Sequence, residues 1–78
     1  MNQQLIFNND FTFNPEQQAV MFSCLVSGLR VNCFIAVAEG LAPELALQQV
    51  LQQAFSWEDS AEQAIANDAY NSAGEIWL

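Results

Sequence analysis

The stretch AVMFSCLVSGLRVNCFIA, residues 19–36, decides how this chain folds. Apolar residues alternate with other types on both sides of Ser27-Gly28, and a period of two marks β-structure with one buried face. If Val26 pairs with Leu29 across a two-residue loop, one face carries Val20, Phe22, Cys24, Val26, Leu29, Val31, Cys33 and Ile35, all apolar. The other carries Ala19, Met21, Ser23, Leu25, Arg30, Asn32, Phe34 and Ala36. This split predicts an antiparallel hairpin with one face on the core. Asn-Gly would make a stronger two-residue turn than Ser-Gly. A four-residue loop, Ser27 to Arg30, keeps the same core face and is the alternative register.

The register also decides what the two cysteines are to each other. With Val26 opposite Leu29, Cys24 faces Val31 and Cys33 faces Phe22. The thiols are then diagonal, and diagonal pairs stand about 7–8 Å apart, too far for a ready disulfide. With the longer loop, Cys24 and Cys33 are directly opposite.

Outward from the hairpin, Leu5, Phe7, Phe11 and Phe13 mark short strands within Asn2 to Phe13, interrupted by the turn-like NND. Asn14-Pro15-Glu16-Gln17 reads as a turn, with proline presetting φ at its second position. After Ile35 a short turn of helix or an irregular piece runs to Gly40. Pro43 suits a first helical position and Glu44 a first turn. Leu47, Val50, Leu51, Ala54 and Phe55 follow at i, i+3, i+4, i+7 and i+8, the stripe of an amphipathic helix, with Gln48, Gln49, Gln52 and Gln53 toward solvent. Ser56 is read as the cap of a second helix, with Trp57, Ala61, Ala64, Ile65 and Ala69 inward and Asn71, Ser72 and Gly74 ending it. Glu75 to Leu78 reads as a terminal strand. The expectation is one α+β domain over residues 1–78: a small antiparallel sheet of three to four strands packed by one face on two C-terminal helices.

Several of these residues resemble a known family. The Ala19, Val20 and Phe22 of the first hairpin strand, the Val31, Cys33 and Ile35 of the second, Leu41, and the closing Gly-Glu-Ile-Trp-Leu look like the small bacterial family known as domain of unknown function 1488. That resemblance implies an α+β fold and no established activity, so it supplies no catalytic residues.

Charge narrows the function classes. Nine Asp and Glu face one cation, Arg30, with no Lys or His, for a net charge of −8. Nucleic-acid binding through phosphates needs several cations, and anionic membranes repel such a chain. Net negative charge favours basic partners. Ala19 to Ala38 is no membrane span, because Arg30, Asn32 and the Ser-Gly break interrupt it. The N-terminal residues carry no basic, apolar leader pattern, so a cytoplasmic setting with reduced thiols is expected.

Catalytic parts are missing from the sequence. A structural zinc site wants four Cys or His, and a Cys-x-x-Cys redox centre has different spacing and sits at a helix start. No histidine or lysine is present to activate a nucleophile. Glu58, Asp59 and Glu62 are read as charges near a helix N-terminus, where the dipole favours them, and not as metal ligands. No catalytic residue, cofactor, metal or small-molecule ligand is inferred, and the chain is read as a non-enzyme. The outward hairpin face, with Met21, Leu25, Arg30 and Phe34, is either covered by another part of the chain or a protein-contact surface, including for a second copy. The function expected is a small acidic accessory or protein-binding domain. The alternatives are a thiol-based redox or metal-responsive protein using Cys24 and Cys33, and an acidic nucleic-acid mimic built on the helix around Glu58 to Asp68.

Overall fold

The computed structural model describes residues 4–78, so the Asn2 and Gln3 part of the first expected strand lies outside the described residues. The chain runs β1 (Leu5–Phe7), β2 (Thr12–Asn14), β3 (Ala19–Val26), β4 (Leu29–Ala36), α1 (Pro43–Gln52), α2 (Ala54–Ala66) and β5 (Ile76–Trp77). β3 and β4 form the expected hairpin, and all eight pairs from Ala19–Ala36 to Val26–Leu29 follow the two-residue register. Both turn residues take positive φ, 51° at Ser27 and 87° at Gly28. That is the type I′ backbone whose twist matches the flanking strands, and glycine supplies half of it without strain.

β1 and β2 lie end to end along the other edge of β3, both antiparallel to it. The turn between β2 and β3 forms as read, with Asn14 Oδ1 accepting from the Gln17 N–H at 3.1 Å. The sheet differs from expectation at its far edge. β5 runs parallel to β4, with Ile76 beside Cys33 and Trp77 beside Phe34, so the five-stranded sheet is mixed and not wholly antiparallel. The reason is the connection. Both helices and residues 67–75 lie between β4 and β5, the long crossover that a parallel neighbour requires in place of a hairpin turn.

The two helices cover the all-apolar hairpin face. Val20, Phe22, Cys24, Val26, Val31, Cys33 and Ile35 are buried with Ala46 and Val50 of α1, Ala61 and Ile65 of α2, and Ile76. Leu29 shares that face but stands at the hairpin tip, where it is 74 % exposed. Phe11 stacks on Phe22 with ring centroids 4.6 Å apart, closing the N-terminal side of the core.

The helical stripe is shifted from the expected one. Pro43 does open α1, but Ala46 and Val50 face the sheet, while Leu51 and Phe55 point outward. Small side chains occupy the positions of closest approach, Ala46 in α1 and Ala61 in α2, where a leucine would hold the helix off the sheet. Gln53 leaves the helical path (φ −123°, ψ 31°), so α2 starts at Ala54 and Ser56 is inside it, not capping it. α2 ends at Ala66, ahead of the expected Asn71–Gly74 stop, and Ala69 is exposed beyond it.

Ile76 has no exposed surface and Leu29 nearly three-quarters. Ile76→Ala is expected to cost about 2–5 kcal/mol in urea unfolding, and Leu29→Ala within about 0.5 kcal/mol of nothing.

Candidate functional site

The chemistry-bearing residues sort onto the two faces of the sheet. The cysteines lie under the helices, where both are free and fully buried. They are diagonal, Cys24 opposite Val31 and Cys33 opposite Phe22. Burial pushes the Cys33 thiol up to about 12, and the neighbouring thiol and Asp10 add to the rise. Burial raises Cys24 as well. A reactive cysteine needs the opposite shift and solvent access. These two are small apolar fillers of the core.

Among the described residues no helix lies over the other face of the sheet. Strand alternation and register place Ile6, Thr12, Met21, Ser23, Leu25, Arg30, Asn32, Phe34 and Trp77 there. Ile6 and Trp77 are 47 % and 41 % exposed, and Met21 and Leu25 are half-buried. Phe34 is not part of the accessible surface as expected. It is 3 % exposed, because Trp77 stacks on it with centroids 4.8 Å apart. The accessible apolar surface is therefore Ile6, Met21, Leu25 and Trp77. Ile6 and Trp77 were legible in principle, since their parity follows once β1 and β5 are registered on the hairpin.

One polar cluster sits in this face. β1 and β2 leave a gap opposite Ser23, and the loop Asn8–Phe11 bridges it. There Asp10 Oδ1 accepts from the Ser23 backbone N–H at 2.8 Å, and Asp10 Oδ2 accepts from the Ser23 hydroxyl. Asn8 donates its backbone N–H to the Ser23 carbonyl at 3.1 Å and its side-chain amide to the Ser23 Oγ at 3.0 Å. Ser23 is the buried polar residue of the sheet, and these bonds satisfy it. Among the described residues no buried side-chain nitrogen or oxygen lacks a partner. Arg30 Nη2 stands 3.6 Å from Asp10 Oδ2, and Arg30 Nε donates to Asn32 Oδ1 at 3.3 Å. Partial burial works to raise the Asp10 pKa, but the Ser23 bonds and Arg30 outweigh it and hold the carboxyl below its ordinary value. The sequence reading of NND as a turn missed this role for Asp10.

Ser23 and Asp10 do not make a catalytic pair. The carboxylate is held in its ionised form by its donors, which makes it a poor proton acceptor for the serine, and no imidazole stands between them. A groove of about 350 Å³ also opens between the end of β4 and α1, walled by Ile35, Val37, Leu41, Val50 and Trp57, with Gln49 and Gln53 as its polar groups. None of the groove's lining residues is charged or nucleophilic.

The carboxylates of α2 fall elsewhere than the sequence reading put them. Because α2 begins at Ala54, Glu58, Asp59 and Glu62 are past its first turn, which holds no acid. Asp68 lies beyond the helix in a left-handed conformation (φ 57°). Glu58 is half-buried, and no regular row of carboxylates results. Among the described residues no group of three or more metal-ligating side chains converges, and no helix is long and apolar enough to cross a membrane.

The family profile described as "Protein of unknown function (DUF1488)" matches residues 5–78. The chain belongs to the DUF1488 family. A crystal structure of a DUF1488 protein of unknown function from Shewanella loihica PV-4 superposes with a TM-score of 0.88 at 27 % identity, covering all of this chain and 94 % of that one. The uncharacterized protein YrdB of Escherichia coli K12 is 29 % identical, covering all of this chain and 99 % of YrdB. The α+β fold is thus shared with a solved relative of the family, and the family carries no assigned activity.

Two measurements check this site. Asp10→Ala leaves the buried Ser23 donors without their acceptor and is expected to cost roughly 1–3 kcal/mol near neutral pH. Because the folded Asp10 pKa lies below the unfolded one, the charge-dependent part of that stabilisation is full above the unfolded value. It is lost as pH falls through the folded value, so the gap between wild type and Asp10→Ala should narrow in acid denaturation curves. The second is thiol modification, expected to be slow in the native state and fast for both cysteines in denaturant.

Proposed function

We infer that this protein is a non-catalytic binding domain whose contact surface is the helix-free face of its sheet. The observation that carries this reading is the partly exposed apolar set Ile6, Met21, Leu25 and Trp77 on a face over which no helix packs among the described residues. Apolar surface left open on either side of the Ser23–Asp10 cluster marks an interaction site. The face holds one carboxylate, Asp10, and the chain's one cation stands beside it. The other eight acidic residues lie off the strand positions of this face. A neutral apolar patch on a chain of net charge −8 suits a protein partner with an apolar patch set in basic surroundings. The acidic remainder then steers the approach and the patch supplies the contact. The raised thiol pKa values and complete burial of Cys24 and Cys33 argue against redox chemistry as the activity.

The test compares proteins captured from a native lysate by the wild type and by an Ile6→Ser, Leu25→Ser double variant shown by circular dichroism to be folded. A basic protein recovered by the wild type and lost by the variant supports the reading. Recovery of no protein, or equal recovery by both, overturns it.

A further inference from the structure

Strand β4 reaches past its short neighbour β5. The residues of β4 bond alternately to its two sides. Val37 N–H donates to the Gln18 carbonyl at 3.0 Å, while the Phe34 carbonyl accepts from the Leu78 N–H at 2.8 Å. Odd positions of β4 therefore serve β3, and even positions serve the β5 side. β5 pairs only with Cys33 and Phe34. The next even residue is Ala36, and among the described residues no backbone partner meets its N–H or its C=O. A donor and an acceptor thus stand side by side on an open edge, in line with β5.

The groove of about 350 Å³ lies along this edge. Ile35, Ala36, Val37 and Ala38 wall it on the strand side, and Val50 and Trp57 on the helix side. The Ala36 side chain has the parity of Phe34 and turns to the helix-free face, so it is the main chain of Ala36 that lines the groove. Open edges in native sheets are blunted by charge, proline or a bulge. Ile35-Ala36-Val37-Ala38 is uncharged and without proline, and its pairing with β3 is regular up to Ala36.

These features specify the occupant. A main-chain donor beside a main-chain acceptor on a strand edge is complemented by another extended main chain. A helix has closed its own backbone bonds and would leave Ala36 unmatched. The apolar walls receive a side chain of the incoming segment. Gln49 and Gln53, one turn apart on the helix side, can donate to its other edge or accept from it. With no charge in the lining and a net charge of −8 on the chain, an acidic segment is disfavoured.

We propose that an extended, uncharged segment of a partner protein binds here as an added strand, pairing its main chain with Ala36 and seating an apolar side chain among Val37, Leu41 and Trp57. The site is separate from the helix-free sheet face, so either assignment can fail without the other.

The test selects heptapeptides from a displayed random library on the full chain, then titrates the most enriched one into isotope-labelled protein followed by amide NMR. The enriched peptides are expected to be apolar at alternate positions, to shift the Ala36 and Ala38 amides and to slow their exchange with solvent. Ala36→Pro removes the edge donor without touching a bond to β3, and proline is tolerated on strand edges, so the fold should survive it. Binding to Ala36→Pro is expected to be roughly tenfold weaker, and binding to the Ile6→Ser, Leu25→Ser variant unchanged. N-methylation of the peptide at successive residues makes the same test on unaltered protein: alternate positions should lose binding. Enrichment of no peptide overturns the proposal. So does a peptide that shifts Ile6 and Leu25 in place of Ala36 and Ala38, one that binds as a helix, or one indifferent to N-methylation.

Discussion

Val26 meets Leu29 across Ser27-Gly28, and every other placement in the sheet inherits that pairing. Side chains on a strand alternate, so a slip of one residue would turn the apolar row from Val20 to Ile35 out to solvent and bring Arg30 and Asn32 under the helices. The I′ turn fixes the register locally, and burial of the apolar face fixes it globally. β1 and β2 then take their parity from β3, and β5 from β4. The diagonal relation of the cysteines is a consequence of the same pairing, and so is their inertness as thiols deep in the core.

β3 also poses a problem that its sequence solves. Its outer edge is shared by two three-residue strands with a gap between them. At the gap Ser23 would leave a backbone N–H and a hydroxyl unpaired in a buried setting, which is costly. The Asp10 carboxylate acts there as the missing acceptor, and Arg30 offsets its charge from the neighbouring strand. A polar group with all partners met costs little and fixes the geometry, so the cluster serves the fold while keeping the open sheet face close to neutral.

Charge is distributed with a consistent result. The apolar sheet face holds one compensated carboxylate, and α1 presents glutamines. The other acids lie on loops, in the first turn of α1 at Glu44, and on α2. An acidic protein so arranged carries like charge over most of its surface and keeps the open sheet face close to neutral. Its relatives in the DUF1488 family share the α+β scaffold, with a TM-score of 0.88 to the Shewanella loihica structure.

The hairpin, its core face, the interrupted N-terminal strands, the Pro43 helix start and the closing strand were legible in the sequence, because each depends on local period or turn chemistry, while the register stood open between two loop lengths that bury the same face. The candidate surface was legible in part: Met21, Leu25 and Arg30 are on the open face, while Trp77 displaces Phe34 from it by stacking. The direction of β5, the helix stripe at Ala46 and Val50, the break at Gln53 and the tie between Asp10 and Ser23 were not legible. These are settled by what meets across long sequence separations. A strand's own pattern does not say from which end it rejoins a sheet. Either of two adjacent apolar stripes on α1 would serve a helix alone, and the close approach of the sheet selects the one with alanine. The sequence by itself determined that these two strands form a hairpin and which face of it is buried; which residues pair was decided by the structure. Tertiary structure alone decided which apolar side chains remain outside, because exposure depends on where the helices lie over the sheet and where they stop.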